Sequence, residues 1–293
     1  PERDALTDLF YNSAVLVGPL GVGGVHRKTH PYISEPKWAA NGDAGHQVFE
    51  TDIGRIALLI CMDIHFIETA RLVAVGGAQL ICHISNWLAE RTPAPYWLTR
   101  GWENGCALIE SNRWGCERGV QFSGGSCIID NQGNLLASCD TGDQILAAEL
   151  SLPAINPWLK KRRPELYHRL MTNTYQWEPN EYFGLYGCDP LPKGKNSRIS
   201  VAQFYPQDSI DENLRQIRYQ IEHAKNNGAE LLVLPERALT GGEGNHNALS
   251  INHPAIMVLI NLAINFDIAL LVGFAEHDGK DFYNSALLVS SAG

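Results

Sequence analysis

The chain has 293 residues, 45% hydrophobic and 19% charged, with a formal net charge of −9. That is enough material for one large or two smaller globular domains, and the negative balance argues against nucleic acid or an anionic membrane as partner. No run approaches the roughly 18 apolar residues of a membrane span, and no secretory leader pattern is present. Seven cysteines (61, 82, 106, 116, 127, 139 and 188), without CxxC or Cys/His ligand spacing, predict free thiols in a reducing, cytoplasmic setting, with no bound metal and no cofactor.

In chain order, residues 13–18 read as a strand, followed by a glycine-rich turn at Gly21, Gly23 and Gly24. Residues 25–28 read as a short strand, and 29–43, with Pro31, Pro36 and Gly42, as a loop. Residues 47–51 and 54–61 fit a hairpin, and a helix from Glu68 should stop at Gly76-Gly77. Strands are expected at 79–85, 106–111, 125–130, 135–138 and 145–150, with a helix over 96–105. Strands alternating with helices through short connections mean an α/β fold.

Residues 152–197 differ in texture. They hold six prolines, the basic cluster Lys160-Lys161-Arg162-Arg163, and aromatics from Trp158 to Tyr186. Such a cluster can bind RNA; a solvated face in an arm-like connector is the reading favoured here. Beyond it, 198–204 reads as a strand, Ser209 to Glu212 has capping-box spacing, and Leu214, Ile217, Ile221 and Ala224 mark one helix face ending at Gly228. Residues 230–234 form a strand leading into Pro235-Glu236; a helix over 254–266 and a strand over 268–274 follow.

The two ends of the chain repeat each other. Phe10-Tyr11-Asn12-Ser13-Ala14 recurs as Phe282-Tyr283-Asn284-Ser285-Ala286, and residues 1–4 parallel 275–278 across a two-residue gap. Pro1 opens without a methionine and Gly293 directly follows a strand-like run. The expectation is a fragment of two tandem domain copies: 1–151 the later part of one, 152–197 the connector, 198–293 the early part of the next. A circularly permuted single domain is the alternative.

Cys61 closes the apolar run Ile56 to Ile60 ahead of a helix. A lone cysteine there is either the last core residue of a strand or a nucleophile at a strand-to-helix bend. A free thiol is mostly protonated at neutral pH, so amide attack needs a base and a nearby cation. His65 and His83 lie close enough in sequence to raise a Cys–His alternative.

Three segments stand together: LLVLPERALTG around Glu236, VHRKTHPYISE around Lys28, and ALLICMDIHFIE around Cys61. They resemble the signature segments of the nitrilase, or carbon–nitrogen hydrolase, superfamily. The likeness extends to Gly76-Gly77-Ala78, Asn86-Trp87, Arg100 with Glu103-Asn104, Asn112-Arg113 and Phe122 to Ser126. The family order Glu, Lys, Cys is here Lys, Cys, Glu, which a tandem fragment predicts. The resemblance implies a four-layer α-β-β-α sandwich in permuted order and a small-molecule amide or N-carbamoyl substrate hydrolysed through a thioester. It implies Cys61 as nucleophile, Glu236 as general base and Lys28 as oxyanion stabiliser with the Met62 backbone N–H. Glu35 would be the family's second glutamate, and a homo-oligomer or a pseudo-dimer of tandem copies would be the assembly. Glu103 reads as a structural partner of Arg100. Nitrilases typically carry Trp-Glu after the cysteine, so Met62-Asp63 favours amides over nitriles. A non-catalytic scaffold domain is the other function class left open.

Overall fold

The computed structural model describes residues 1–88, 91–152, 154, 156–171 and 194–293, and the chain divides into two units, Pro1–Thr174 and Tyr175–Gly293. The first unit opens with β1 (Glu2–Arg3) paired to β2 (Phe10–Tyr11), then a hairpin of β3 (Ser13–Gly18) and β4 (Gly21–Arg27). Gly23 and Gly24 lie inside β4 rather than in the turn expected for them, and Lys28 falls one residue beyond the strand. The reason for Gly24 is a close approach: a Cβ there would sit 2.4 Å from the Phe49 ring.

The main sheet of this unit is six-stranded. Its members are β5 (Val48–Thr51), β6 (Gly54–Ile60), β7 (Leu80–Ser85), β8 (Ala107–Asn112), β11 (Ser126–Ile129) and β12 (Leu135–Cys139), and they neighbour one another in that order. Strands β6, β7 and β8 run parallel; the outer ones are antiparallel. Side-chain alternation divides the core in two. Ala57, Leu59, Ile81, Leu108 and Ile129 pack on one face with helices α1 (Ile67–Val75) and α2 (Pro95–Asn104). Ile56, Leu58, Ile60 and Leu80 pack on the other with Ala14 and Leu16 of the hairpin. Truncating a member such as Leu59 to Ala would cost roughly 2–5 kcal/mol. A second hairpin, β9 (Trp114–Glu117) with β10 (Val120–Ser123), was not legible in the sequence. Residues 145–150 are not a strand: among the described residues they join no strand ladder, and Ile145 is almost fully exposed.

In the second unit, β13 (Ile199–Val201), β14 (Leu231–Val233), β15 (Ala269–His277) and β16 (Phe282–Val289) form a four-stranded sheet, parallel except for β16. Helices α3 (Ile210–Asn226) and α4 (Pro254–Phe266) bury Ile217, Ile221, Leu259 and Ala263 against Leu232, Leu270 and Val272. The cap of α3 is the expected one, with Ser209 Oγ accepting the Glu212 N–H at 3.4 Å. Both units thus show the expected α/β character.

The repeated stretches fold alike. Glu2 pairs with Tyr11 as Glu276 pairs with Tyr283. Ser13 Oγ donates to Glu2 Oε2 at 2.6 Å, and Ser285 Oγ donates to Glu276 Oε2 at 2.6 Å. Between the repeats, Lys160, Lys161 and Arg163 are exposed, and the Lys161 ammonium lies 4.4 Å from the centre of the Trp158 ring. The aromatics Tyr175, Trp177, Tyr182, Phe183 and Tyr186, with Cys188, lie outside the described residues.

Candidate active site

Cys61 leaves the end of β6 and opens a 3-10 turn, Cys61–His65, that precedes α1. Its φ is +46°, a left-handed conformation that costs a residue with a Cβ about 1–2 kcal/mol. Surrounding bonds hold it there. Asp63, fully buried, accepts the Ile60 N–H at 3.1 Å. The same carboxylate bonds His26 Nε2 (2.9 Å), the Thr29 N–H (3.1 Å), Thr29 Oγ1 (2.9 Å) and the His30 N–H (3.0 Å). Burial alone would push this carboxyl up; the bonds from His26, His30 and Ile60 outweigh it and hold Asp63 well below the usual carboxylate range. One side chain therefore joins the Cys61 turn to the segment flanking Lys28. From α2, Arg100 donates to the carbonyls of Ile64 and His65, each at 3.3 Å, and pairs with Glu103 at 3.0 Å. The structural role expected of Glu103 is the one observed.

Lys28 is buried, and its Nζ lies 2.5 Å from Glu35 Oε2. Glu35 begins a 3-10 turn, Glu35–Lys37, and also accepts from Asn12 Nδ2 (2.6 Å) and the Tyr32 N–H (2.5 Å). The loop returns beside the strand end through Gly42, where a Cβ would lie 2.0 Å from the Arg27 carbonyl oxygen. Cys61, Met62, Lys28, Glu35 and Asn12 all line one cleft of about 720 Å³, with Tyr32, His65, Trp87, Arg113, Arg118 and Phe122 forming much of the rest. The C-terminal ends of parallel strands are where open α/β sheets bind ligands.

Burial pushes the Cys61 thiol up, and Glu35 and Glu110 add to this; the Lys28 charge and the Asn86 N–H pull against it without reversing it. The resting group is a thiol, which needs a base before it can attack. Burial also raises Cys82 to about 11 and Cys106 and Cys127 to about 12. None of those three has a cation–amide pair opposing the rise as Lys28 and Asn86 do at Cys61.

The Cys–His alternative is not what the structure shows. His83 Nε2 meets the Cys61 carbonyl at 3.0 Å, not the thiol, and His65 stacks on Trp87 with ring centres 4.7 Å apart. Glu236 belongs to the second unit. It is exposed just beyond β14, its Oε1 accepts from Asn284 Nδ2, and the following Arg237 has φ +55°. Gly273 of β15 lets that turn approach: a Cβ there would lie 2.8 Å from Glu236 Cα and 2.5 Å from the Arg237 nitrogen. The structure thus gathers Cys61, Met62, Lys28 and Glu35 in the first unit and adds Asp63, His26 and Asn12, which sequence reasoning missed. A carboxylate two residues past Cys61 in an otherwise apolar stretch was the available signal. Among the described residues, no group of His, Cys, Asp and Glu side chains is arranged to hold a metal ion, and no helix is long and apolar enough to cross a membrane.

Residues 1–160 and 198–293 match the sequence model of the carbon-nitrogen hydrolase family. The chain belongs to that family. Among curated relatives of the chain, a nitrilase of Pyrococcus abyssi is 34% identical over 177 residues, 57% of this chain and 66% of that one. An (R)-stereoselective amidase of Pseudomonas sp is 32% identical over 163 residues, 53% of this chain and 59% of that one. The crystal structure of a carbon-nitrogen hydrolase from Helicobacter pylori G27 superposes with a TM-score of 0.52 at 27% identity, covering 58% of this chain and 69% of that one. The chain therefore spans about two thirds or less of the length of these two curated relatives.

Proposed function

We propose that this chain hydrolyses a small amide or N-carbamoyl compound through a thioester on Cys61. The observation that supports it is the water-poor Lys28–Glu35 ion pair lining the same cleft as a half-buried thiol in a left-handed turn. Glu236 takes the Sγ proton as sulfur attacks the carbonyl carbon. Lys28 and the Met62 N–H stabilise the tetrahedral oxyanion, a role that removes about 10²–10³ in rate when one donor is lost. Collapse breaks the C–N bond, and the protonated Glu236 returns its proton to the departing ammonia or amine. Water, deprotonated by Glu236, then attacks the thioester and releases the acid and the thiol. Glu35 keeps Lys28 oriented and, through Asn12, fixes the substrate side of the cleft. This mechanism requires Glu236 to come within hydrogen-bond reach of Cys61 Sγ, as in a domain completed by tandem or paired copies.

The nitrilase and amidase relatives support an amide or a nitrile. Met62-Asp63 in place of Trp-Glu favours the amide. Ammonia release from a panel of short aliphatic amides, N-carbamoyl amines and nitriles, with Cys61→Ala as control, tests the reading. Release by the native chain and none by the variant is expected; equal release by both rejects it.

A further inference from the structure

His83 plays no part in the steps above, yet its side chain and that of Glu110 are both 0% exposed. It stands on β7 directly opposite Leu59 of β6 and Glu110 of β8. Burying two ionisable groups is costly unless their bonds are complete. His83 Nδ1 meets Glu110 Oε2, and Nε2 meets the Cys61 carbonyl oxygen at 3.0 Å. A carbonyl only accepts, so Nε2 carries a hydrogen. Nε2–H is thus aimed at the Cys61 carbonyl while Nδ1 faces the Glu110 carboxyl. The other oxygen of Glu110 accepts from Ser85 Oγ, which also lies 2.8 Å from Asn112 Oδ1; Asn112 Oδ1 in turn accepts the Trp87 N–H at 3.0 Å. The polar row is thus anchored to main chain at both ends, one of them Cys61.

The Cys61 carbonyl can take such a donor, because its oxygen has a second lone pair besides the one that the 3-10 turn Cys61–His65 uses. The β6–β7 ladder ends at the pair Ile60 and Ile84, so this carbonyl leaves the sheet at the residue whose φ turns positive. We infer that His83, held in one tautomer by Glu110, is a positioning residue for Cys61. Its Nε2–H anchors the Cys61 carbonyl and so keeps Sγ turned to the cleft, where Lys28 and the Asn86 N–H favour the thiolate and Glu35 and Glu110 oppose it. This rests on the reading of Cys61 as the nucleophile.

The test is the rate of iodoacetamide labelling at Cys61, followed by peptide mass spectrometry from pH 6 to 10, in the native chain and in His83→Leu, His83→Asn and His83→Gln. Leu lacks the donor and Asn falls short of the carbonyl, whereas the amide nitrogen of Gln can take the place of Nε2. With Leu or Asn, the pH midpoint at Cys61 is expected to rise by about one unit, with labelling near neutrality about tenfold slower. Gln should stay within about threefold of native. In amide turnover, kcat should fall with KM within about threefold. Thermal melts identify the folded variants, and Asn serves if Leu does not fold. A native labelling profile in folded Leu or Asn, or a Gln variant as impaired as Leu, overturns the inference. Labelling needs no turnover, so a chain that labels as expected but releases no ammonia would reject the proposed function and leave the positioning role standing.

Discussion

Lys28 Nζ and Glu35 Oε2 lie 2.5 Å apart, with the lysine side chain 2% exposed and the glutamate 13%. In so dry a setting neither charge can be removed without stranding the other, and breaking such a pair costs roughly 3–5 kcal/mol. Glu35→Gln retains hydrogen-bonding capacity but frees Lys28 from its counter-charge. Amide turnover should fall by about 10²-fold or more, with a smaller loss of stability than Lys28→Ala. Equal turnover in Glu35→Gln and the native chain, measured as ammonia release, would remove Glu35 from the mechanism.

The thiols divide by position. Cys61→Ala should abolish turnover, while Cys82→Ala, Cys106→Ala and Cys127→Ala should retain it. Because burial raises the Cys61 thiol, its alkylation should climb with pH through a midpoint above the ordinary thiol value of about 8.5. It should nonetheless precede Cys106 and Cys127, which are fully buried and pushed up to about 12. Site-resolved labelling that finds Cys61 the slowest of the set would count against an accessible nucleophile.

Asp63 should matter to stability as well as to turnover. Its carboxyl is held low in the fold, so the folded state prefers the ionised form more than the unfolded chain does. The resulting stabilisation is complete above the unfolded carboxyl value of about 4 and is lost progressively as pH falls below it. Asp63→Asn should lower stability by roughly 3 kcal/mol at pH 7. Its deficit against the native chain should narrow by pH 3. Urea midpoints at the two pH values measure this, and a deficit independent of pH would contradict it.

In the second unit, Glu236→Gln should stop turnover and slow Cys61 alkylation near neutrality, since both reactions need the thiol proton removed; ammonia release at the native rate would remove Glu236 from the mechanism. Gly273→Ala should act indirectly. Its Cβ would meet the main chain of Pro235, Glu236 and Arg237, so it should lower thermal stability and turnover together. A Gly273→Ala protein with native melting and native activity would show that the approach is looser than it looks.

The sequence was most readable where chemistry and local pattern coincide. Cys61 at the end of a five-residue apolar run, Lys28 beside its histidines and Glu35 seven positions on were brought together by the resemblance of their segments to the family, since each alone reads as an ordinary core or surface residue. The helices α3 and α4 announced themselves through a cap and an apolar stripe. What escaped notice depends on partners remote in the chain. His83 and Glu110 are 27 residues apart and Asp63 and His26 are 37 apart, so each alone reads as an odd polar residue in a strand or turn. Gly24 looked like a turn residue because the Phe49 ring that excludes a side chain is invisible to a linear reading. Residues 145–150 had strand composition but, among the described residues, no strand to pair with, and composition cannot supply one.

The left-handed backbone at Cys61 sets activity against robustness. At most positions, replacing a residue by glycine loosens the unfolded chain and lowers stability. At φ +46° a glycine would shed the steric conflict that any residue with a Cβ has to bear. Cys61→Gly should therefore be no less stable than Cys61→Ala, and could exceed it by about 1 kcal/mol. A thiol at this position therefore carries a backbone cost that glycine would relieve, so a change that favours the fold here deletes the only side chain able to form the thioester.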